Sequence, residues 1–140
     1  MTRMKSRVKA LSLHLECDES EIEVFPGFSV GDREYLVLTD KEANDKTIDD
    51  IEDHLWAFNA QFMADETGID RLVFVALQES QRCESNNEAV RRLVGSRASF
   101  LRLARSAIKC DGRGHFLSGY DGGESESVAG GVKYYIYRTN

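Results

Sequence analysis

The sequence predicts an α+β fold: a small, mostly antiparallel sheet with helices packed on one side. Three observations lead there. Runs rich in β-branched and aromatic residues stand far apart in the chain, Glu34-Tyr35-Leu36-Val37-Leu38 and Tyr134-Tyr135-Ile136-Tyr137. Between them, apolar residues recur at helical spacing. The 140 residues, 41% hydrophobic and 30% charged, have a globular composition and fit one domain over 1–140.

Residues 5–15 read as a first helix, because Val8, Leu11 and Leu15 share a face. An acidic turn at 18–21 follows, then two short strands around Gly31-Asp32, a turn pair that favours a β-hairpin. Thr39 and Asp40 are good N-cap types for the next helix. Its seam is Ile48, Ile51, Leu55, Phe58 and Phe62, within about 80° of arc, and it runs on until Gly68 stops it. Residues 69–78 fit a helix best, with a buried strand at Leu72-Val73-Phe74-Val75 as the alternative. Ser85-Asn86-Asn87-Glu88 has capping-box spacing and starts a short helix through Val94. Gly95-Ser96 breaks it, and 97–109 forms a last amphipathic helix. Residues 115–120 and 132–138 are expected to pair as strands, joined by the Gly- and Ser-rich stretch 121–131.

Composition narrows the function classes. The longest apolar run spans residues 72–77, far below the roughly 18 residues that cross a membrane. The basic start of the chain lacks the apolar segment of a secretory signal. Cys17, Cys83 and Cys110 are an odd, widely spaced set, which fits free thiols in a reducing cytoplasm rather than a disulfide framework. A cytoplasmic protein without a membrane partner is expected.

Charge is sorted along the chain. The net charge is −6, yet residues 16–70 hold seventeen acidic and three basic side chains, while 71–115 hold nine basic and four acidic ones. Opposite the seam of the second helix, Glu42, Asp45, Asp49, Asp50, Glu52 and Asp53 fall within about 160° of arc. Such a face is either a solvated helix surface or an imitation of DNA phosphates, aimed at a nucleic-acid-binding protein. Trp56 projects away from Leu55 and Phe58, so either this helix end is buried all round or Trp56 is a contact residue.

On the last helix Arg102, Arg105 and Lys109 lie opposite Phe100, Leu103, Ala104 and Ala107; with Arg97 they form a candidate phosphate-binding set. A pI near 5.1 argues against general nucleic-acid binding. The basic face can instead be solvated, or can pair with the acidic helix within the chain or across a homodimer. The polar, Gly-rich stretch after this helix is a candidate ligand loop, with Asp111, Arg113, His115, Tyr120 and Asp121 as its chemical groups. It has neither a P-loop ending nor dinucleotide-site spacing, and Asp-Gly is also ordinary turn chemistry. No nucleophile–base pairing is readable, so no catalytic residue is assigned. His14-x2-Cys17 and Cys110-x4-His115 lack the tight knuckles of a zinc site, so neither metal nor cofactor is expected.

Several segments carry a family resemblance. Glu34-Tyr35-Leu36-Val37-Leu38-Thr39-Asp40-Lys41-Glu42-Ala43 and Leu55-Trp56-Ala57-Phe58-Asn59 resemble stretches of small uncharacterised proteins of tailed bacteriophages. So do Asp111-Gly112-Arg113-Gly114-His115-Phe116-Leu117-Ser118-Gly119-Tyr120-Asp121-Gly122 and Tyr135-Ile136-Tyr137-Arg138-Thr139-Asn140. Together they spread over residues 34–140. The resemblance implies a context, a phage protein working in the host cytoplasm, and carries over no residue role. Small acidic phage proteins without catalytic signatures often occlude a host protein, as anti-CRISPR and anti-restriction inhibitors do. The leading expectation is therefore a non-enzymatic accessory protein that binds a host, nucleic-acid-binding complex through its acidic helix. The alternatives are a small-molecule or nucleotide-binding domain using the 111–121 loop, and a nucleic-acid binder using the basic helix 97–109.

Overall fold

A computed structural model describes residues 2–80 and 84–140. It is α+β, with a four-stranded antiparallel sheet. The chain divides into two compact units, Met1–Thr47 with Asp111–Asn140, and Ile48–Cys110. Cys83 lies outside the described residues; Cys17 is half-buried and Cys110 exposed.

The first unit holds the sheet. Helix α1 (Arg3–Leu15) starts at Thr2, whose side chain accepts from the Lys5 amide, and ends at Glu16 in the left-handed region, φ 55°. Asp18 and Glu21 then form a reciprocal capping box around a 3₁₀ turn, Glu19–Glu21. Strands β1 (Phe28–Val30) and β2 (Arg33–Leu38) make the expected hairpin, with Gly31 at φ 61° in its turn. Strands β3 (Ser125–Ala129) and β4 (Val132–Arg138) complete the order β1-β2-β4-β3. The central register sets Tyr35 opposite Arg138 and Leu38 opposite Tyr135.

Alternation along the strands builds two apolar faces. Tyr35, Val37, Tyr134, Ile136 and Ala129 gather with Ala10 and Leu11 of α1 and with Ile22. Leu36, Leu38, Tyr135 and Tyr137 point the other way and meet Ala43 and Leu117. Burying most of a Tyr or Leu side chain is worth about 1.5–3 kcal/mol, so these two layers carry most of this unit's stability.

The second strand pair differs from expectation. Residues 115–117 are not strand; they belong to a short helix, α7 (Arg113–Leu117), and the partner of β4 is β3. Gly130 and Gly131 explain this. Both have positive φ, 59° and 75°, as a two-residue type I′ hairpin turn requires, and they sit immediately before β4. That turn selects the strand just upstream, despite its Ser- and Glu-rich composition.

Helix α2 (Asp40–Asp53) begins in the first unit with a second capping box. Glu42 accepts from the Thr39 amide, and the Glu42 amide donates to the Thr39 hydroxyl. The single long helix expected to reach Gly68 is broken at His54 into α2, a 3₁₀ turn (Leu55–Ala57) and α3 (Ala60–Thr67). Two asparagines stabilise the break. Asn59 caps α3, accepting from the amides of Gln61 and Phe62. Asn87 accepts from the Trp56 amide at 3.1 Å and donates to the Glu52 carbonyl at 2.8 Å, satisfying backbone groups that the interruption frees.

The rest of the second unit is helical. Gly68 ends α3 at φ 74°, as its position predicts. Within 69–78, residues 71–78 are helix rather than strand, in α4 (Arg71–Ser80), and 69–70 lie just before it. Helix α5 (Asn87–Val94) starts at Asn86, which makes no side-chain cap bond there. Helix α6 (Arg97–Asp111) buries Phe100, Leu103, Ala104 and Ala107, the seam read from its spacing.

Candidate functional site

The six carboxylates expected on one face of α2 divide into two groups. Glu42 is held within the first unit. Arg7 reaches it with both guanidinium arms, at 2.8 and 3.0 Å, while also donating to the Val37 carbonyl at 2.6 Å. The Arg7 hydrogen bonds, reinforced by those from Thr39, outweigh burial and hold the Glu42 carboxyl down to about 2. Glu52 is held within the second unit, 2.8 Å from Arg91 Nε and 3.1 Å from Arg97 Nη1. Both guanidinium groups also lie over the Phe100 ring.

The Arg7–Glu42 pair makes stability depend on pH with a defined sign. Its folded carboxyl titrates near 2, below the ordinary range near 4.3. The stabilisation is therefore fully present above about pH 4.5 and lost as pH falls toward 2. Because 41% of the Glu42 side chain is exposed, solvent screening reduces the value to about 1–2 kcal/mol. Glu42→Gln is expected to lower stability by that amount at pH 7, in urea titrations, and by much less at pH 2.5. An equal deficit at both pH values would refute the assignment.

The remaining carboxylates face outward. Asp45 is exposed and pairs with Lys41 one turn earlier, at 2.6 Å. Asp50 approaches the exposed His54 at 3.5 Å. Asp49 and Asp53 are exposed and make no hydrogen bond or ion pair among the described residues. Trp56 is half-buried, with its indole Nε1 enclosed and without a partner among the described residues.

The structure does not gather the five residues of the 111–121 loop into one site. Arg113 is a brace of the fold: its Nε donates to Glu124 at 2.8 Å, and its Nη1 lies 2.9 Å from Asp40 Oδ1 and 3.0 Å from Asn44 Oδ1. Its guanidinium also stacks 4.5 Å over Tyr135. Burial pulls its pKa down, but the Glu124 and Asp40 hydrogen bonds outweigh that and raise it. Asp121 Oδ1 accepts from the Gly123 amide and the Ser118 hydroxyl, each at 2.9 Å, which lowers its pKa. This is local turn chemistry. Tyr120 is exposed beneath the Arg138 guanidinium, 3.5 Å from its ring centre. His115 is exposed, its ring edge-to-face with that of Phe116. Asp111 is exposed at the end of α6.

Packing accounts for key glycines of this loop. A Cβ on Gly114 would lie 2.4 Å from the Gly122 carbonyl oxygen, and one on Gly119 would lie 2.8 Å from that of Thr139. Tyr120 and Asp121 do line a pocket with His14, Tyr35 and Arg138, but its volume is about 180 Å³. Ligand pockets ordinarily hold about 300–1,000 Å³, so a nucleotide is too large for it.

On α6, Arg97 is tied to Glu52, whereas Arg102, Arg105 and Lys109 are exposed without hydrogen bonds or ion pairs among the described residues. The two charged helices thus meet, through Arg97 and Glu52, and only there by a direct ion pair among the described residues. No helix among the described residues is long and apolar enough to cross a membrane. The chain matches no family model, and no curated protein or solved structure matches it.

Proposed function

We propose that the protein is a non-enzymatic phage accessory protein that binds and inhibits a host nucleic-acid-binding complex, in the manner of anti-CRISPR or anti-restriction inhibitors, through the outward acidic face of α2. One observation carries this. Asp49 and Asp53 are exposed and, among the described residues, unpartnered in the last turns of α2, which has no basic residue in its final turn. The helix dipole disfavours negative charge there by about 0.3–1 kcal/mol per residue. Side chains kept where they weaken their own helix fit a role outside the fold.

Asp45, Asp49 and Asp53 follow one another at four-residue spacing, about 6 Å per step along the axis. A rigid row of carboxylates can enter a groove lined by Arg and Lys, and opposite charges speed the encounter. Glu42 and Glu52 add little to this row, since their charges are neutralised by Arg7, and by Arg91 and Arg97. The phage context rests on the resemblance over residues 34–140.

The combined variant Asp45→Lys, Asp49→Lys, Asp53→Lys separates binding from folding. Tagged wild-type protein is expected to retain one nucleic-acid-binding complex from host lysate at low salt and to release it as salt rises. The variant should retain at least tenfold less while remaining folded, since Lys suits the helix C-terminus at 49 and 53 and losing the exposed Lys41–Asp45 pair costs little. Undiminished retention by a folded variant would overturn the proposal.

A further inference from the structure

We infer that the outward face of α6 is a contact surface for the phosphate backbone of a nucleic acid. Arg102, Arg105 and Lys109 fall within about 60° of arc at 100° per residue, directly opposite the buried Phe100, Leu103, Ala104 and Ala107. They rise about 10 Å along the helix, so the three charges form one line. The other residue within that arc is the exposed Ala98.

What sets this line apart is that three cations without ion pairs among the described residues stand side by side on one helix face. Acidic residues outnumber basic ones, 24 to 18, and the neighbouring cations of α5 and the start of α6 are paired with some of them. Arg91 and Arg97 hold Glu52, and Arg92 holds Glu88 one turn away. Arg102, Arg105 and Lys109 alone form a row of exposed cations along one helix face without an ion pair among the described residues. Three adjacent exposed cations without an ion pair among the described residues leave their charge available to a counter-charge from outside the fold.

The chemistry of the face favours nucleic acid over protein. A protein interface needs a desolvated apolar or aromatic centre ringed by polar groups. This face has no apolar side chain larger than Ala98 at its centre. It has instead two guanidinium groups, suited to bidentate phosphate contacts, and one ammonium. Such a face gains affinity mainly by releasing counterions from a regularly charged polymer. The acidity of the whole chain does not forbid it, since at about 0.1 M salt repulsion is screened beyond roughly 10 Å.

The inference is independent of the acidic face of α2, and its test uses only purified components. Fluorescence anisotropy of a labelled 20-base-pair duplex, titrated at increasing salt, would compare three proteins. They are the wild type, a face variant (Arg102→Gln, Arg105→Gln, Lys109→Gln) and a charge-matched control (Arg33→Gln, Lys46→Gln, Arg71→Gln). The control cations are exposed and unpartnered among the described residues but lie elsewhere. Wild type should bind with a log–log salt slope of about −2.7, the value for three phosphate contacts. The face variant should bind at least tenfold more weakly and the control within threefold of wild type, with circular dichroism showing all three folded. Absence of saturable binding at low salt, or equal losses in both variants, would overturn the assignment. So would self-association of the wild type that only the face variant abolishes, since the face would then serve a second copy of the chain.

Discussion

Gly114→Ala is expected to destabilise the sheet-bearing unit by about 3 kcal/mol or more, at the upper end of overpacking costs. The added methyl would lie 2.4 Å from the Gly122 carbonyl oxygen and 2.7 Å from the Gly123 carbonyl carbon. Both are backbone atoms, so no side-chain rotation relieves the contact; either α7 or the 121–123 turn must move. That turn is held by Asp121, which accepts from the Gly123 amide, and by Ser118, within 2.7 Å of the Arg138 carbonyl oxygen of β4. Displacing it therefore disturbs the end of β4, an interior strand of the sheet. Gly122→Ala is the informative comparison. Gly122 has φ 69° and open space around its Cβ position, so alanine there should cost only the backbone term, about 1–2 kcal/mol. Urea titrations of both variants read the difference directly. A Gly114→Ala protein within 0.5 kcal/mol of wild type would mean that the two segments are not in contact in solution.

Arg113→Met is expected to cost about 3 kcal/mol. Methionine keeps the apolar stem over Tyr135 but removes the donors that join α7 to Asp40 and Asn44 of α2 and to Glu124 beside β3. The Arg113 side chain is only 10% exposed, and Glu124 also accepts from the Tyr137 hydroxyl. Losing the cation leaves Glu124 beside a phenol whose pKa burial and that same hydrogen bond already raise. Arg113→Lys should recover less than half the loss, because one ammonium cannot span the directions of a guanidinium fork. Thermal melts of the three proteins would check the order. A methionine variant as stable as wild type would return Arg113 to the pool of free functional groups.

Local patterns were readable where neighbours in the chain are also neighbours in space. The α6 seam and its opposed cations lie on one helix, and Gly31-Asp32 turns two adjacent strands. The break at His54 was hidden because Leu55, Phe58 and Phe62 keep helical spacing through it. Its stabilising group, Asn87, lies more than thirty residues away. The short aromatic and apolar run within 115–120 is a pattern that helices and strands share. Gly130-Gly131 before β4 was the signal for the true hairpin.

The site residues show the same division. Glu42 and Asp49 are both acids on one helix, and only Arg7, from α1, makes the first structural. Arg113 carries the marks of a ligand-binding arginine in sequence, yet its partners come from α2 and from beside β3. Exposure of Asp49 and Asp53 followed from their place opposite the seam; freedom from partners depended on every other element.

The central register of the sheet also orders events during synthesis. β2 pairs with β4 across Tyr35 and Arg138, and the whole of Ile48–Cys110 lies between them in the chain. A ribosome makes β1, β2 and α1, then the entire helical unit, before β4 exists. Until then β2 has β1 on one side and an unpaired edge on the other, beside Tyr35 and Val37, which are buried in the finished fold. The helical unit, being contiguous, can form while that edge waits. A nascent chain stalled before residue 132 thus exposes an open strand edge, the feature that chaperones and aggregation compete for.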